Sequence, residues 1–108
     1  MNDEAYEVAL QLILDAGDAH SSAMLAIQAA REFRFEDAEG LIGQAEASLT
    51  SAHNVQTDTI QAEARGESAP LNLIMVHAQD HLTMALMSVD NAKECLNIYR
   101  MIAELKNK

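Results

Sequence analysis

The sequence predicts an all-α protein, a three-helix antiparallel bundle that forms one domain over residues 1–108. Three observations carry this. Alanine occurs nineteen times and methionine six times, while Val, Thr, Phe and Trp, which strands favour, are scarce. Pro70 is the only proline, so little interrupts a helix. Apolar residues also recur in steps of four and three along three long stretches, the period of an amphipathic helix.

The first helix is expected from Asp3 to Arg31. Asp3, Glu4 and Glu7 suit the positive end of its dipole. Its apolar stripe is Val8, Leu12, Ala16, Ala19, Ala23, Ile27 and Ala30. Gly17 interrupts the helix at a cost of about 1 kcal/mol relative to Ala, which points to a packing reason. Glu32-Phe33-Arg34-Phe35 reads as a turn, although it holds neither Gly nor Pro. The second helix follows from Glu36 to Arg65, with the stripe Ala38, Leu41, Ala45, Leu49 and Ala52. Its part from His53 to Gln61 is more polar. Gly66 reads as a C-terminal cap, and Gly66-Glu67-Ser68-Ala69-Pro70 as the clearest loop.

The third helix is expected from Leu71 or Asn72 to near Lys106. Lys93, Arg100, Lys106 and Lys108 gather toward its negative end. Ala78, Leu82, Ala85, Val89, Ala92, Leu96, Tyr99 and Ala103 form a heptad-like seam for packing on the other two helices. Leu73, Met84, Met87, Ile98, Ile102 and Leu105 make a second apolar face. A helix apolar around so much of its circumference must be buried on more than one side. The economical reading is that the third helix also packs against copies of itself. A small alanine-rich core gives a further reason, since it buries little area alone.

Composition excludes several functions. Seven basic against seventeen acidic side chains give a net charge of −10, which argues against nucleic acid and against an anionic membrane surface. The single cysteine, Cys95, allows no intramolecular disulfide and fits a reducing compartment. It reads as a small core residue. No run approaches the ~18 apolar residues of a membrane span, and the opening Met-Asn-Asp-Glu lacks the positive region of a signal peptide. A cytoplasmic location is the expectation.

Chemistry gathers on the second face. His77, Asp80 and His81 stand at i, i+3 and i+4 and share one side of the third helix. Polar groups in an apolar stripe cost free energy unless they are paired, liganded or hydrated. Three readings fit. One is a structural polar cluster in a non-catalytic oligomerisation module, where it sets register. Another is a metal-dependent hydrolase, since His77-Ala78-Gln79-Asp80-His81 is like the H-x-x-E-H motif with Asp for Glu. That reading still needs a third zinc ligand and a base. The third is a phosphoacceptor histidine, because a neutral imidazole is a competent nucleophile at cell pH. Gln79 or His81 would then orient the ring and meet phosphate oxygens.

The run Leu73-Ile74-Met75-Val76-His77-Ala78-Gln79-Asp80-His81-Leu82 resembles the signature of the lactose/cellobiose-type enzyme IIA of the bacterial phosphoenolpyruvate-dependent sugar phosphotransferase system. Ala16-Gly17-Asp18-Ala19 with Ser21 resembles that family's first helix. Ala45, Leu49, Ala52-His53, Gln56-Thr57, Glu63-Ala64 and Gly66-Glu67 resemble its second. The likeness runs without a gap from about Ala5 to Ile102.

The resemblance implies three-helix subunits that assemble as a homotrimer. It implies that His77 accepts phosphate from the phosphocarrier HPr and passes it to a cysteine of enzyme IIB. It further implies that three copies of Asp80 meet on the trimer axis around magnesium or a similar divalent cation, with no organic cofactor. The membrane would be met only indirectly, through the permease component, which also selects the sugar. Read from the residues, Met75 and Val76, with nearby Leu71, are either an exposed docking surface around His77 or ordinary bundle packing. Two positions depart from the family. Phe33-Arg34 stand where Gly with Asp or Asn is usual before an aromatic residue, and His20 stands where many members carry Arg.

Overall fold

The computed structural model describes residues 3–67 and 71–108. They form three α-helices, α1 (Asp3–Arg31), α2 (Phe35–Ala64) and α3 (Leu73–Lys106). Connections of a few residues make consecutive helices antiparallel. The result is a rod of 60 × 22 × 19 Å. No helix among the described residues is long and apolar enough to cross a membrane.

The turn between α1 and α2 falls where the sequence places it, by an unexpected means. The Arg34 N–H donates to the Ala29 carbonyl and the Phe33 N–H to the Ala30 carbonyl, both at 2.9 Å. This is the paired closure that ends many helices, and it needs a left-handed residue at the position of Phe33. Phe33 takes it, at φ 61°. A Cβ in that conformation costs roughly 1–2 kcal/mol. Contacts offset the cost. The Phe33 ring lies 5.7 Å from the Phe35 ring, and the Lys106 ammonium sits 5.3 Å over its face. Arg34 braces the turn by donating to Glu32 and Asp37 at 2.6 and 2.9 Å, which hold its guanidinium pKa above the ordinary value.

Gly66 ends α2 by the same closure, at φ 88°, with Glu67 N–H on the Ala62 carbonyl and Gly66 N–H on Glu63. Ser68, Ala69 and Pro70, the rest of the expected loop, lie outside the described residues. α3 begins two residues later than the earlier of the two expected starts. Asn72 takes extended backbone and its side-chain oxygen accepts the Met75 N–H at 2.9 Å. It is therefore the cap and not the first helical residue.

Alanine dominates the core. Ala16, Ala19, Ala23, Ala45, Ala85 and Ala92 surround Val89 and Leu96 in one cluster. Ala9, Leu12, Ala52, Met75, Ala78 and Leu82 form a second, at the end of the rod that holds the start of α3. Side chains this small let helix axes approach toward the short end of the ~8–10 Å range. The expected stripes hold with local shifts. Ala9 and Ala26 are buried where Val8 and Ile27 are only half-buried, and Ile42 replaces Leu41 as the fully packed residue of α2. α1 packs on both other helices, so its buried face is wider than one stripe. Cys95 is half-buried beside the α3 seam.

Gly17 departs from expectation. A Cβ built there meets nothing within 4 Å, so packing inside the chain does not require glycine.

Few polar ties cross between helices. Lys93 pairs with Glu46 at 3.0 Å, and Arg100 pairs with Glu39. The His20 ring bonds Ser88 at 2.7 Å, and Ser51 donates to Asp15 at 2.9 Å. These four are exposed, where each contributes at most about 1 kcal/mol. The second face of α3 is left uncovered within the chain. Leu73, Met87 and Leu105 are 85, 62 and 68 % exposed.

Candidate functional site

The site begins with the Asn72 cap, which fixes the first turn of α3. Side chains on a helix lean toward its N-terminus. His77 therefore lies beside an open depression lined by Tyr6 of α1 and by Asn72, Leu73 and Ile74. His81 follows one turn later, on the same face. Nε2 of His81 stands 3.0 Å from Nε2 of His77, with ring centroids 4.5 Å apart and planes at 77°. Such a bond takes one N–H and one lone pair, so the tautomers of the two rings are tied together. His77 is exposed and His81 half-buried. The pair thus offers an accessible nucleophile held by a neighbour that is itself partly packed.

Asp80 shares the outer face of α3 with Met84 and Met87. It is exposed and has no hydrogen bond or ion pair among the described residues. Among those residues no three His, Cys, Asp or Glu side chains converge. Among the described residues of one chain, His77 and His81 therefore find no third protein ligand of the kind a catalytic zinc centre requires.

Gln79 is not brought to His77 within the chain. Two residues on, it lies about 200° further round the helix. Its carbonyl oxygen accepts from Gln56 of α2 at 2.6 Å, and its amide nitrogen lies 3.6 Å from the Met75 sulfur. Met75 also corrects an expectation. It is only 7 % exposed and belongs to the core cluster beneath the site, while Val76 and Leu71 are exposed as expected. Met75 lies three residues before Ala78 and simply extends the inner seam by one rung.

Two contributors escaped sequence reasoning. Asn72 carried a signal, an Asn directly before an apolar periodic run. Gln56 carried none in periodicity, because its partner Gln79 lies on another helix.

Comparison with known proteins gives the family and the fold. Residues 7–100 match the family described as "PTS system, Lactose/Cellobiose specific IIA subunit". The chain is 43 % identical to the lichenan-specific phosphotransferase enzyme IIA component of Bacillus subtilis, over 96 % of this chain and 94 % of that protein. It is 39 % identical to the galactose-specific EIIA component of Lactococcus lactis, over 99 and 92 %. Among solved structures, the cellobiose-specific enzyme IIA of Bacillus anthracis superposes with a TM-score of 0.92 at 36 % identity, covering 96 and 95 % of the two chains. The chitobiose IIA of Escherichia coli, solved in complex with HPr, gives a TM-score of 0.80 at 30 % identity, covering 94 and 99 %.

Proposed function

The chain belongs to the lactose/cellobiose-specific IIA subunits of the sugar phosphotransferase system, as a phosphotransferase component of sugar transport, and from that premise we propose that His77 is its phosphoacceptor. In this reading phospho-HPr is the donor, a cysteine of enzyme IIB is the acceptor, and the chain serves disaccharide uptake from the cytoplasm. The observation that carries it is the exposed His77 ring bonded to His81 at 3.0 Å.

The chemistry needs little from the protein beyond position and charge. A ring lone pair of His77 attacks the phosphorus of the donor's phosphohistidine in line. The new P–N bond forms as the donor's P–N bond breaks, and the donor ring keeps the electron pair. Onward transfer repeats the step, with the IIB thiolate forming P–S as His77 leaves. His81, within reach of the same ring, can turn an N–H toward a phosphoryl oxygen. The half-turn that separates Gln79 from His77 means its amide could serve a phosphoryl group only across a subunit boundary. Exposed Val76 and Leu71 beside His77 give a docking partner apolar contact, and the Escherichia coli relative solved with HPr supports the choice of donor.

The uncovered face of α3 supports assembly as a homotrimer through that helix. Each chain then brings one unpaired Asp80 to the axis. Three convergent carboxylates repel one another in a low dielectric, and their oxygens suit a hard cation such as magnesium. When bound, that cation would neutralise the Asp80 layer and so strengthen assembly. Nothing in the phosphoryl step is asked of it.

Phosphorus NMR after incubation with phosphoenolpyruvate, enzyme I and HPr tests the assignment. A phosphohistidine resonance is expected in the wild type and in His53→Ala, and not in His77→Ala. A resonance that survives in His77→Ala would place the chemistry elsewhere. None in the wild type would leave the chain a non-catalytic helical module.

A further inference from the structure

Two heptads beyond His77 and Asp80, the same face of α3 carries a second polar pair, Asn91 and Glu94. From Leu73 to Leu105 this face keeps steps of four and three without a break, with Met84, Met87, Ile98 and Met101 as its other apolar rungs. His77 and Asn91 hold equivalent heptad positions, toward the boundary between neighbouring chains of the proposed trimer, and Asp80 and Glu94 hold the next rung, nearer its axis. Fourteen residues of helix set the two pairs about 21 Å apart along the axis. Asn91 and Glu94 are exposed in the single chain and have no hydrogen bond or ion pair among the described residues. The nearby cations do not serve Glu94, because Lys93 and Arg100 turn to Glu46 and Glu39 of α2.

We infer that Asn91 and Glu94 form a polar layer inside the homotrimer that fixes the register and the number of its strands. The inference rests on the trimer proposed above, and the occupant of this face is two further copies of α3. Three-fold symmetry makes the copies parallel, so each residue meets its own counterparts at one height. Asn91 and Glu94 are separated by a rise of about 4.5 Å, within side-chain reach. Each Asn91 amide can donate to the Glu94 carboxylate of the next chain. Donors and acceptors are equal in number, and the ring closes. Beyond the Asp80 layer, a stretch of Met, Leu and Ile alone from Met84 to Leu105 would tolerate local slippage or a different strand count. A single polar rung at such a position removes those alternatives, at a cost in stability.

Sedimentation and thermal unfolding of Asn91→Leu, with Asn97→Leu as control, test this. Asn97→Leu makes the same change in helix propensity off the seam. The wild type and Asn97→Leu are expected to sediment as trimers of the 11.8 kDa chain. Asn91→Leu is expected to melt higher than Asn97→Leu and to spread over more than one oligomer size. Glu94→Gln, which keeps a hydrogen-bonding group and removes the repulsion of three carboxylates, should remain a trimer and melt above the wild type. A uniform Asn91→Leu trimer that melts no higher than Asn97→Leu overturns the layer and leaves the trimer standing. A monomeric wild type overturns the trimer itself.

Discussion

In the proposed transfer His77 acts only while its ring is held and the single lone pair of the neutral imidazole is kept available. His81 supplies the hold, and its value should show in kinetics more than in stability. His81→Ala leaves the fold intact, because the side chain is only half-buried. A hydrogen bond to a charged group contributes about 1.5–3 kcal/mol, so phosphoryl transfer should slow roughly 10- to 100-fold. Rapid-quench kinetics with phospho-HPr would measure it, and an unchanged rate would remove His81 from the mechanism. The His77–His81 pair was legible in the sequence, because four residues on a helix always bring side chains together. That Gln79 faces away was equally legible, because next-but-one in sequence is nearly opposite on a helix, but its partner Gln56 on another helix was not. Phe33 marks another limit of local reading. Nothing in its chemistry announces a left-handed residue, and the glycine that usually does so is missing. Because Phe33→Gly and Phe33→Ala lose the same ring, their difference isolates the backbone. Phe33→Gly should be the more stable by about 1–2 kcal/mol in chemical denaturation.

At the scale of elements, the three helices could be read from periodicity and caps. The inner seam from Ala78 to Leu96 is buried where the heptad pattern put it. Met75 belongs to the packed core, as the seam's own period extended by one rung would place it, and only Val76 and Leu71 remain of the expected docking surface. Gly17 does not follow expectation. A helical glycine suggests a close approach, yet the space around it is open within the chain. Gly17→Ala should therefore stabilise by about 0.5–1 kcal/mol, through lower backbone entropy in the unfolded chain. For a domain of this size that is an upward shift in melting temperature of several degrees. A fall instead would mean that another copy packs against α1 at that point.

The whole molecule joins a thin alanine-rich core to an uncovered helix face and a net charge of −10. The core suits a chain that completes its burial by sharing α3 in the proposed trimer. The charge suits encounter with partners that present basic faces, which is the expectation for the proposed donor and acceptor, since complementarity of this kind mainly raises association rates. Raising salt from 0.1 M to 1 M shortens the screening length from about 10 Å to about 3 Å. The second-order rate of transfer from phospho-HPr should fall accordingly, while the rate within the complex stays constant. Stopped-flow measurement across that range separates the two, and a salt-independent second-order rate would contradict electrostatic steering. The central claim remains that one histidine carries the phosphoryl group. Intact-mass measurement after incubation with phosphoenolpyruvate, enzyme I and HPr tests it most directly. The wild type should gain the mass of one phosphoryl group per chain, acid-labile as a P–N bond is, and His77→Ala should gain none. An equal gain in His77→Ala, or no gain in the wild type, would contradict it.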